Sequence, residues 1–340
     1  MKLIQAYESN WAETEMKRST ALLAFIALAF TLSPASATSY EDITLYGSYG
    51  DSLGILIEGR VTEKRYSSEV EPNDSKWRNF WRNLSLFRND ERKGQSVTIQ
   101  VSGATQTLAT ITSEEGYFKI EAAEKSGAAE GWNIFSVHSG TTTQTGQTLV
   151  VPKANTVGLI SDLDDTILVT QVTSTAKMLA NTFFKNPAQR KAVPGMAQLY
   201  EKLMMQNALP QAAPLFYLSA SPHQLHANIA QFLAINRFPK GVLITKRVTS
   251  DKTSDPMMDQ IAYKSQKLNE IFTRVPHVSF ILVGDDGESD PEIYEAMRQK
   301  FPERVRAIWI RKVRTDRELA WPASVRDLAE VLREMKIELN

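Results

Sequence analysis

The chain contains no cysteine, which excludes disulfide bonds and thiolate metal ligands. Its formal net charge is zero, so no general electrostatic attraction to nucleic acid is expected. Long hydrophobic runs are absent too, because the apolar stretch from Ala21 to Leu32 is shorter than the ~20 residues that span a bilayer. With 340 residues, of which 42% are apolar, the chain is nevertheless long enough for two domains with a sizeable core.

The first residues carry the pattern of a secretory signal peptide. Lys17 and Arg18 precede the apolar stretch and Ala35-Ser36-Ala37 follows it, which gives the basic, apolar and small-residue parts of such a signal. We predict a biological start at Met16, an extension and signal over residues 1–37, and a protein that is exported, periplasmic or secreted. A transmembrane anchor or a buried helix is the alternative interpretation.

Residues 38–153 are typical of a β-sandwich domain. Short, partly alternating segments at 55–61, 97–101, 117–120 and 132–137 are separated by turn-forming residues, and this spacing predicts strands. The polar stretch Thr141 to Gly146 is predicted to be a loop.

One segment of this region has helical periodicity instead. Trp77, Phe80, Trp81 and Leu84 recur at helical spacing, with several arginines nearby. One interpretation places the aromatic side chains inward, against the sandwich. The other is peripheral membrane contact, in which Trp77 and Trp81 enter a lipid surface and the arginines meet anionic headgroups.

Residues 154–340 predict an α/β domain. Near-continuous apolar strands at 157–161, 215–218, 242–245, 278–283 and 305–310 alternate with helical segments around 175–185, 195–206, 222–235, 260–273 and 291–301. This alternation indicates a Rossmann-like parallel sheet with helices on both faces. In such sheets, ligands bind beyond the carboxyl ends of the strands.

Chemically reactive side chains follow these strands. The first strand is followed by Asp162, Asp164 and Thr166, the second by Ser219, and the fourth by Asp285 and Asp290, while Lys264 lies in the helix between the third and fourth. Clustered carboxylates repel one another and lose hydration, and such clusters are typical of sites that bind a cation or a reacting group.

These motifs resemble the four motifs, in order, of the haloacid dehalogenase superfamily of phosphohydrolases. The stretches Ser161-Asp-Leu-Asp-Asp-Thr-Ile167, Val193-Pro-Gly-Met196, Tyr217-Leu-Ser-Ala-Ser-Pro222 and Gly284-Asp-Asp-Gly-Glu-Ser-Asp-Pro-Glu-Ile-Tyr294 are similar to the actin-patch-type phosphatidate phosphatase catalytic domain and its bacterial relatives. The resemblance covers residues 155–313, and the segment 77–88 is similar to the region that precedes that domain.

The resemblance implies an aspartyl-phosphate mechanism. Asp162 is then the nucleophile, and Asp164 is the acid that protonates the leaving group and the base that activates water. Thr166, Ser219 and Lys264 are expected to bind the phosphorylated substrate. The expected cofactor is Mg²⁺, held by Asp162, the backbone carbonyl of Asp164 and an acid of the fourth motif, for which Asp285 is the first candidate. Asp290 is expected either to bind the cation through water or to orient Lys264.

Other polar residues are given smaller roles. Asp165 and Asp286 are predicted to be solvated or to support the ligands, and Lys267 competes with Lys264 for the third motif. His223 and His226 are expected at a helix surface or cap, with contact to the substrate as the alternative. A calcium loop starting at Asp162 is excluded, because its sixth and twelfth positions lack the required Gly and Glu.

The substrate stays open at this stage. The segment 167–192 is short for a full cap domain and contains the apolar stretch Met178–Phe184, so we expect a small cap and an open pocket that favours bulky substrates such as phosphatidate in a membrane surface. A periplasmic phosphatase acting on sugar or protein phosphates is one alternative. A catalytically inactive secreted binding module is another, which the intact set of acids and lysine disfavours.

Overall fold

The computed structural model describes residues 40–64, 71, 73–85, 92–104, 106–123, 128–169, 186–249, 254–256, 259–314 and 321–337. The start at Met16, the signal peptide, the helix around 175–185 and the apolar stretch Met178–Phe184 lie outside these residues and stay predictions. Within the described residues, no helix is long and apolar enough to cross a membrane.

The first region is a mixed β-sheet. Its strands are β1 (Tyr40–Leu45), β2 (Ser48–Asp51), β3 (Gly54–Lys64), β4 (Ser96–Val101), β5 (Thr107–Ile111), β6 (Tyr117–Ala123), β7 (Gly131–Ser139) and β8 (Thr142–Val150). They are connected in the order β1-β3-β2-β8-β7-β4-β5, and β6 pairs with β3. Alternating apolar residues of β3, β4 and β7 fill its core, as the predicted strand pattern requires. The pairing defines one connected sheet, so the two-sheet sandwich stays a prediction.

The prediction of a loop from Thr141 to Gly146 is wrong. Residues from Thr142 onward form β8, which pairs antiparallel with β7 from the Ser139–Thr142 pair outward. Threonine favours strands, and the long neighbouring strand supplies hydrogen bonds for the whole stretch, so pairing outweighs its polar composition.

A ten-residue helix, α1 (Lys76–Ser85), confirms the helical period of the aromatic segment. The interpretation with aromatic side chains inward is wrong for both tryptophans, since Trp77 is 67% exposed and Trp81 is 53% exposed. Asn79 and Arg82 are buried instead.

The second region is a six-stranded parallel sheet. Its strands are β9 (Val157–Ser161), β10 (Leu215–Pro222), β11 (Val242–Lys246), β12 (Ser279–Asp285), β13 (Val305–Arg311) and β14 (Val325–Asp327), in the order β11-β10-β9-β12-β13-β14. Its helices are α2 (Met196–Met204), α3 (His226–Ile235), α4 (Gln260–Arg274), α5 (Asp290–Lys300) and α6 (Leu328–Glu334). The five predicted strands are confirmed to within a few residues, whereas β14 and α6 were not predicted.

Two apolar clusters lie against this sheet. Consecutive residues of one strand belong to different clusters: Leu159 packs with α2 and α3, and Ile160 packs with α4 and α5. Both sides of the sheet are therefore buried, which explains why its strands have near-continuous apolar sequences.

The two regions share a buried boundary. Tyr49 and Leu149 of the first sheet pack in the same apolar cluster as Phe216 of the second. His223 stacks on Tyr46 with ring centroids 3.9 Å apart, so the expectation that this histidine lies at a helix surface is wrong. Apolar contact with the first sheet outweighs the usual preference of imidazole for water.

Candidate active site

The strand β9 delivers Asp162 and Asp164 to the carboxyl edge of the parallel sheet. The Asp162 amide donates to the Val283 carbonyl (2.8 Å), which extends the pairing with β12 by one residue. The chain then turns through Asp165, whose φ of 55° lies in the left-handed region. The Ile167 amide donates back to the Leu163 carbonyl, and both side chains are buried, so the turn is anchored.

Lys264 lies at the centre of the acidic cluster. Its side chain is fully buried in the first part of α4, whose N-cap Asp259 accepts a hydrogen bond from the Ala262 amide. Its ammonium lies 2.9 Å from Asp162 Oδ1, 2.5 Å from Asp290 Oδ1 and 3.1 Å from Glu288 Oε2.

Lys267, the competing lysine, pairs with Asp255 at 3.1 Å and with Glu270 at 3.6 Å. Of the two lysines, the structure therefore brings Lys264 to the acidic residues that follow β9 and β12.

The turn after β12 brings in two further aspartates. Asp285 accepts hydrogen bonds from the Gly287 amide (2.6 Å) and from Thr166 Oγ1 (3.2 Å). Asp290 begins α5, and a Cβ at Gly284 would lie only 2.3 Å from its Oδ2, so glycine is required for this close approach. Asp162, Asp285 and Asp290 each offer one oxygen within 4.8 Å of the others.

Ser219 lies within the neighbouring strand β10, in its C-terminal half, and is fully buried. Its hydroxyl accepts a hydrogen bond from the Ser221 amide (3.0 Å), and its carbonyl accepts one from the Tyr263 hydroxyl (2.9 Å). Tyr263 precedes Lys264, so this bond holds α4 beside β10. Ser221 Oγ also donates to Asp164 Oδ2 (3.3 Å), which links the second motif to the first.

Asp286 has a different role from Asp285. Its Oδ1 accepts hydrogen bonds from the Val313 amide (2.7 Å) and the Arg314 amide (3.0 Å), so it fixes the segment after β13. The backbone carbonyl of Asp165 accepts a hydrogen bond from Arg311. Neither residue belongs to the group of three candidate metal ligands.

The electrostatics of the cluster favour a bound cation. Burial raises the pKa of Asp162, against the attraction of Lys264, and Asp290 and Glu288 raise it further. Burial and the neighbouring acids, Asp290 first, also raise the pKa of Asp285. Although burial alone lowers the pKa of Lys264, its carboxylate partners raise it, which keeps the ammonium charged. One lysine therefore faces a surplus of negative charge.

A further observation fits a metal ion. Asp162 Oδ2 is buried and accepts no hydrogen bond within the described part of the chain. A buried carboxylate oxygen without a partner is costly, and coordination of a cation would remove that cost. The three carboxylates form an oxygen-only ligand set, which suits a hard divalent metal.

The sequence analysis missed two charged residues of this site. Glu288 contacts Lys264, and its position in the fourth motif, two residues before Asp290, was an available signal. Arg190 had no local signal, because it lies outside all four motifs. Burial raises the pKa of Asp164 and Glu288 adds to the increase, while the positive charge of Arg190 opposes it.

Residues 157–312 match the family model described as "Phosphatidate phosphatase APP1, catalytic domain". The curated protein "Phosphatidate phosphatase APP1" of Saccharomyces cerevisiae is 34% identical over 155 residues, which cover 46% of this chain and 26% of the yeast protein. An uncharacterized protein of Schizosaccharomyces pombe is 25% identical over 242 residues, which cover 68% of this chain and 38% of that protein.

The chain thus spans between about a quarter and two fifths of these two relatives. Among solved structures, a chain of the Pnkp1/Rnl/Hen1 complex is similar with a TM-score of 0.31 and 20% identity, over 48% of this chain and 47% of that chain. The part of the chain that contains all four motifs, with Asp162, Ser219, Lys264 and Asp285, is thus similar to a phosphatase catalytic domain.

Proposed function

We propose that the protein is a Mg²⁺-dependent phosphomonoester hydrolase that releases phosphate from phosphatidate through an aspartyl-phosphate intermediate. The observation that carries this proposal is the buried cluster of Asp162, Asp285 and Asp290 around Lys264, within the residues that match the catalytic domain. The proposal includes a Rossmann-like catalytic domain of the haloacid dehalogenase type, preceded by a β-sandwich.

The side chains of Asp162, Asp285 and Asp290, together with the Asp164 carbonyl, are the groups that would hold Mg²⁺. When bound, the ion would screen the negative charge of the phosphate from the carboxylates. The unpartnered Asp162 Oδ2 and the surplus of buried acids support this assignment.

Asp162 begins the reaction. Its carboxylate oxygen forms a bond to phosphorus, and the bond from phosphorus to the glycerol oxygen breaks. Lys264, paired with Asp162 Oδ1 at 2.9 Å, holds this carboxylate in place and stabilises its charged form. With Ser219, it also stabilises the charge on the transferring phosphoryl oxygens.

Asp164 moves the protons. Burial raises the pKa of its carboxyl group, which favours the protonated form that an acid needs. Its proton passes to the leaving glycerol oxygen. The resulting carboxylate then takes a proton from water, whose oxygen attacks phosphorus and breaks the bond to Asp162. The products are diacylglycerol and phosphate, with Asp162 and Asp164 restored.

The test is phosphate release from phosphatidate vesicles with Mg²⁺, with EDTA, and with EDTA followed by excess Mg²⁺. We expect EDTA to abolish the activity and Mg²⁺ to restore it. Asp162→Asn should reduce the rate by at least about 10³-fold, as expected for loss of a nucleophile. Asp286→Asn is the matched control, because it removes a charge from the neighbouring motif while its Oδ1 can still accept the Val313 and Arg314 amides.

A fully active Asp162→Asn protein would overturn the mechanism. Turnover of soluble sugar phosphates or phosphopeptides with none of phosphatidate would keep the mechanism and reject the lipid substrate. A wild-type protein inactive on the entire panel would favour the inactive binding module.

A further inference from the structure

Among the α1 side chains that the structure describes, three polar ones are buried, whereas the two tryptophans are exposed. Asn79 and Asn83 are almost completely buried and Arg82 is 8% exposed, while Trp77 and Trp81 are more than half exposed. The two tryptophans are four residues apart and therefore share one helix face. Two large aromatic side chains exposed on one helix face form an apolar patch, and such patches are typical of surfaces that bind a partner or a membrane.

Specific polar contacts hold α1 in this orientation. Arg82 pairs with Asp74 at 2.7 Å, and Asn79 Nδ2 donates to Gln189 Oε1 at 2.8 Å. Gln189 in turn donates to the Asp74 carbonyl at 3.0 Å. These contacts commit the polar side of α1 to the protein, so rotation of the helix to bury its tryptophans would break them.

Gln189, which contacts α1, belongs to a segment (residues 186–193) that also pairs with the turn after Asp162 and Asp164. The Val169 amide donates to the Lys191 carbonyl (2.9 Å), and the Val193 amide donates to the Ile167 carbonyl (2.8 Å). Arg190 of the same segment acts electrostatically on Asp164. The exposed tryptophans therefore lie on a helix fastened to the rim of the candidate active site.

The charges of α1 suit an anionic surface. The helix contains Lys76, Arg78 and Arg82 and has no acidic residue. Lys76 is exposed beside Trp77, and the Arg78 side chain is 51% exposed although it also contacts Asp74 at 3.2 Å. Tryptophan and basic side chains on one exposed surface are the combination that binds the interface of anionic lipid.

We propose that the exposed face of α1, defined by Lys76, Trp77, Arg78 and Trp81, docks on an anionic lipid surface and holds the active site there. That phosphatidate is the lipid on this surface rests on the proposed function. The docking itself rests on the orientation of α1. The face lies outside residues 157–312, so the match to the catalytic domain does not include it.

The experiment is co-sedimentation of the full chain with phosphatidylcholine vesicles, with and without phosphatidate or phosphatidylglycerol. We expect binding to both kinds of anionic vesicle and at least about 10-fold weaker binding for the double variant Trp77→Ser, Trp81→Ser. The matched control is Ile111→Ser, Ile134→Ser, which removes apolar side chains that are 70% and 53% exposed on the first sheet. That control should bind like the wild type.

A second readout separates docking from chemistry. The tryptophan variant should hydrolyse a water-soluble phosphomonoester at the wild-type rate and vesicular phosphatidate more slowly. Wild-type binding by the tryptophan variant, or equal binding to neutral vesicles, would overturn the proposal. A tryptophan-dependent dimer that ignores vesicles would overturn it in favour of a second copy of the chain. Vesicle binding without phosphatidate hydrolysis would uphold the docking face and reject the proposed substrate.

Discussion

Two ionic clusters of the described residues differ in charge balance. In the acidic cluster, Lys264 faces the carboxylates of Asp162, Asp290 and Glu288, and Asp285 lies within the same group. In the anchoring cluster below α1, Asp74 contacts both Arg78 and Arg82. A hydrogen bond from the Glu71 backbone and one from Arg82 lower the pKa of Asp74, whereas burial raises the pKa of Asp162 and of Asp285.

This difference in charge balance indicates different roles for the two clusters. A carboxylate whose charge is matched within the protein holds elements together, as Asp74 does for α1. A group of acids that exceeds its basic partners is unstable by itself and needs a ligand. We therefore expect a bound cation to stabilise the acidic cluster and to leave the stability of the anchoring cluster unchanged.

The largest expected difference concerns removal of the basic side chain from each cluster, Lys264 or Arg82. Lys264→Met leaves buried carboxylates without their ammonium, and we expect a loss of about 3–5 kcal/mol of unfolding free energy. Mg²⁺ should recover part of that loss, because it supplies positive charge to the same carboxylates. Arg82→Met should also destabilise the protein, but with no recovery by Mg²⁺. Thermal unfolding of both variants with EDTA and with Mg²⁺ measures the contrast.

Potassium at matched ionic strength is the control for general salt effects. Equal recovery of both variants by Mg²⁺ would break the distinction between the clusters.

The second expected effect is a stabilising substitution. Asp285→Asn removes one surplus charge, and the amide oxygen can still accept the Gly287 amide, so we expect the metal-free protein to gain about 1–2 kcal/mol. The folded-state pKa of Asp285 is raised, so wild-type stability falls as pH rises through that pKa, and the gain should grow from pH 5 to pH 8. Denaturant unfolding in EDTA over this pH range measures it.

The same variant should lose most of the increase in unfolding temperature that Mg²⁺ gives the wild type. Asp286→Asn serves again as the comparison, since its hydrogen bonds lie outside the cluster. A destabilised Asp285→Asn protein that still responds fully to Mg²⁺ would contradict the assignment of Asp285.

The smallest expected effect lies in the anchoring cluster. Asn79→Ala removes the hydrogen bond to Gln189 and the contact to Arg82, and we expect a loss of about 1 kcal/mol that is independent of Mg²⁺. Asn73→Ala, which changes the same residue type before α1, is the matched control. Chemical denaturation with and without Mg²⁺ measures this loss. If Mg²⁺ abolished the loss caused by Asn79→Ala, the assignment of Asn79 to a metal-independent cluster would be wrong.

Much of the parallel sheet was predictable from the sequence. The strands β9, β10 and β12 are buried on both faces, so their apolar runs are long enough to recognise without a structure. Their carboxyl ends meet at one edge, which is why Asp162, Ser219 and Asp285 could be grouped before any distance was known.

The polar parts of the fold were harder to predict. β8 begins with threonine and glutamine, and its pairing with β7 decides its conformation. Similarly, the period of α1 indicated a helix but not the side that would be buried. That depended on Asp74 and on Gln189, which lies more than a hundred residues away in the sequence.

The sequence by itself determined five strands of the parallel sheet, the helical period of α1 and the reactive residue types, because apolar runs, helical period and motif spacing are local properties. The tertiary structure decided the charge balance around Lys264, the inclusion of Glu288 and Arg190, and the outward position of Trp77 and Trp81. The reason is physical: electrostatic energy and burial depend on distances between groups that are remote in the sequence, and only the folded chain sets those distances.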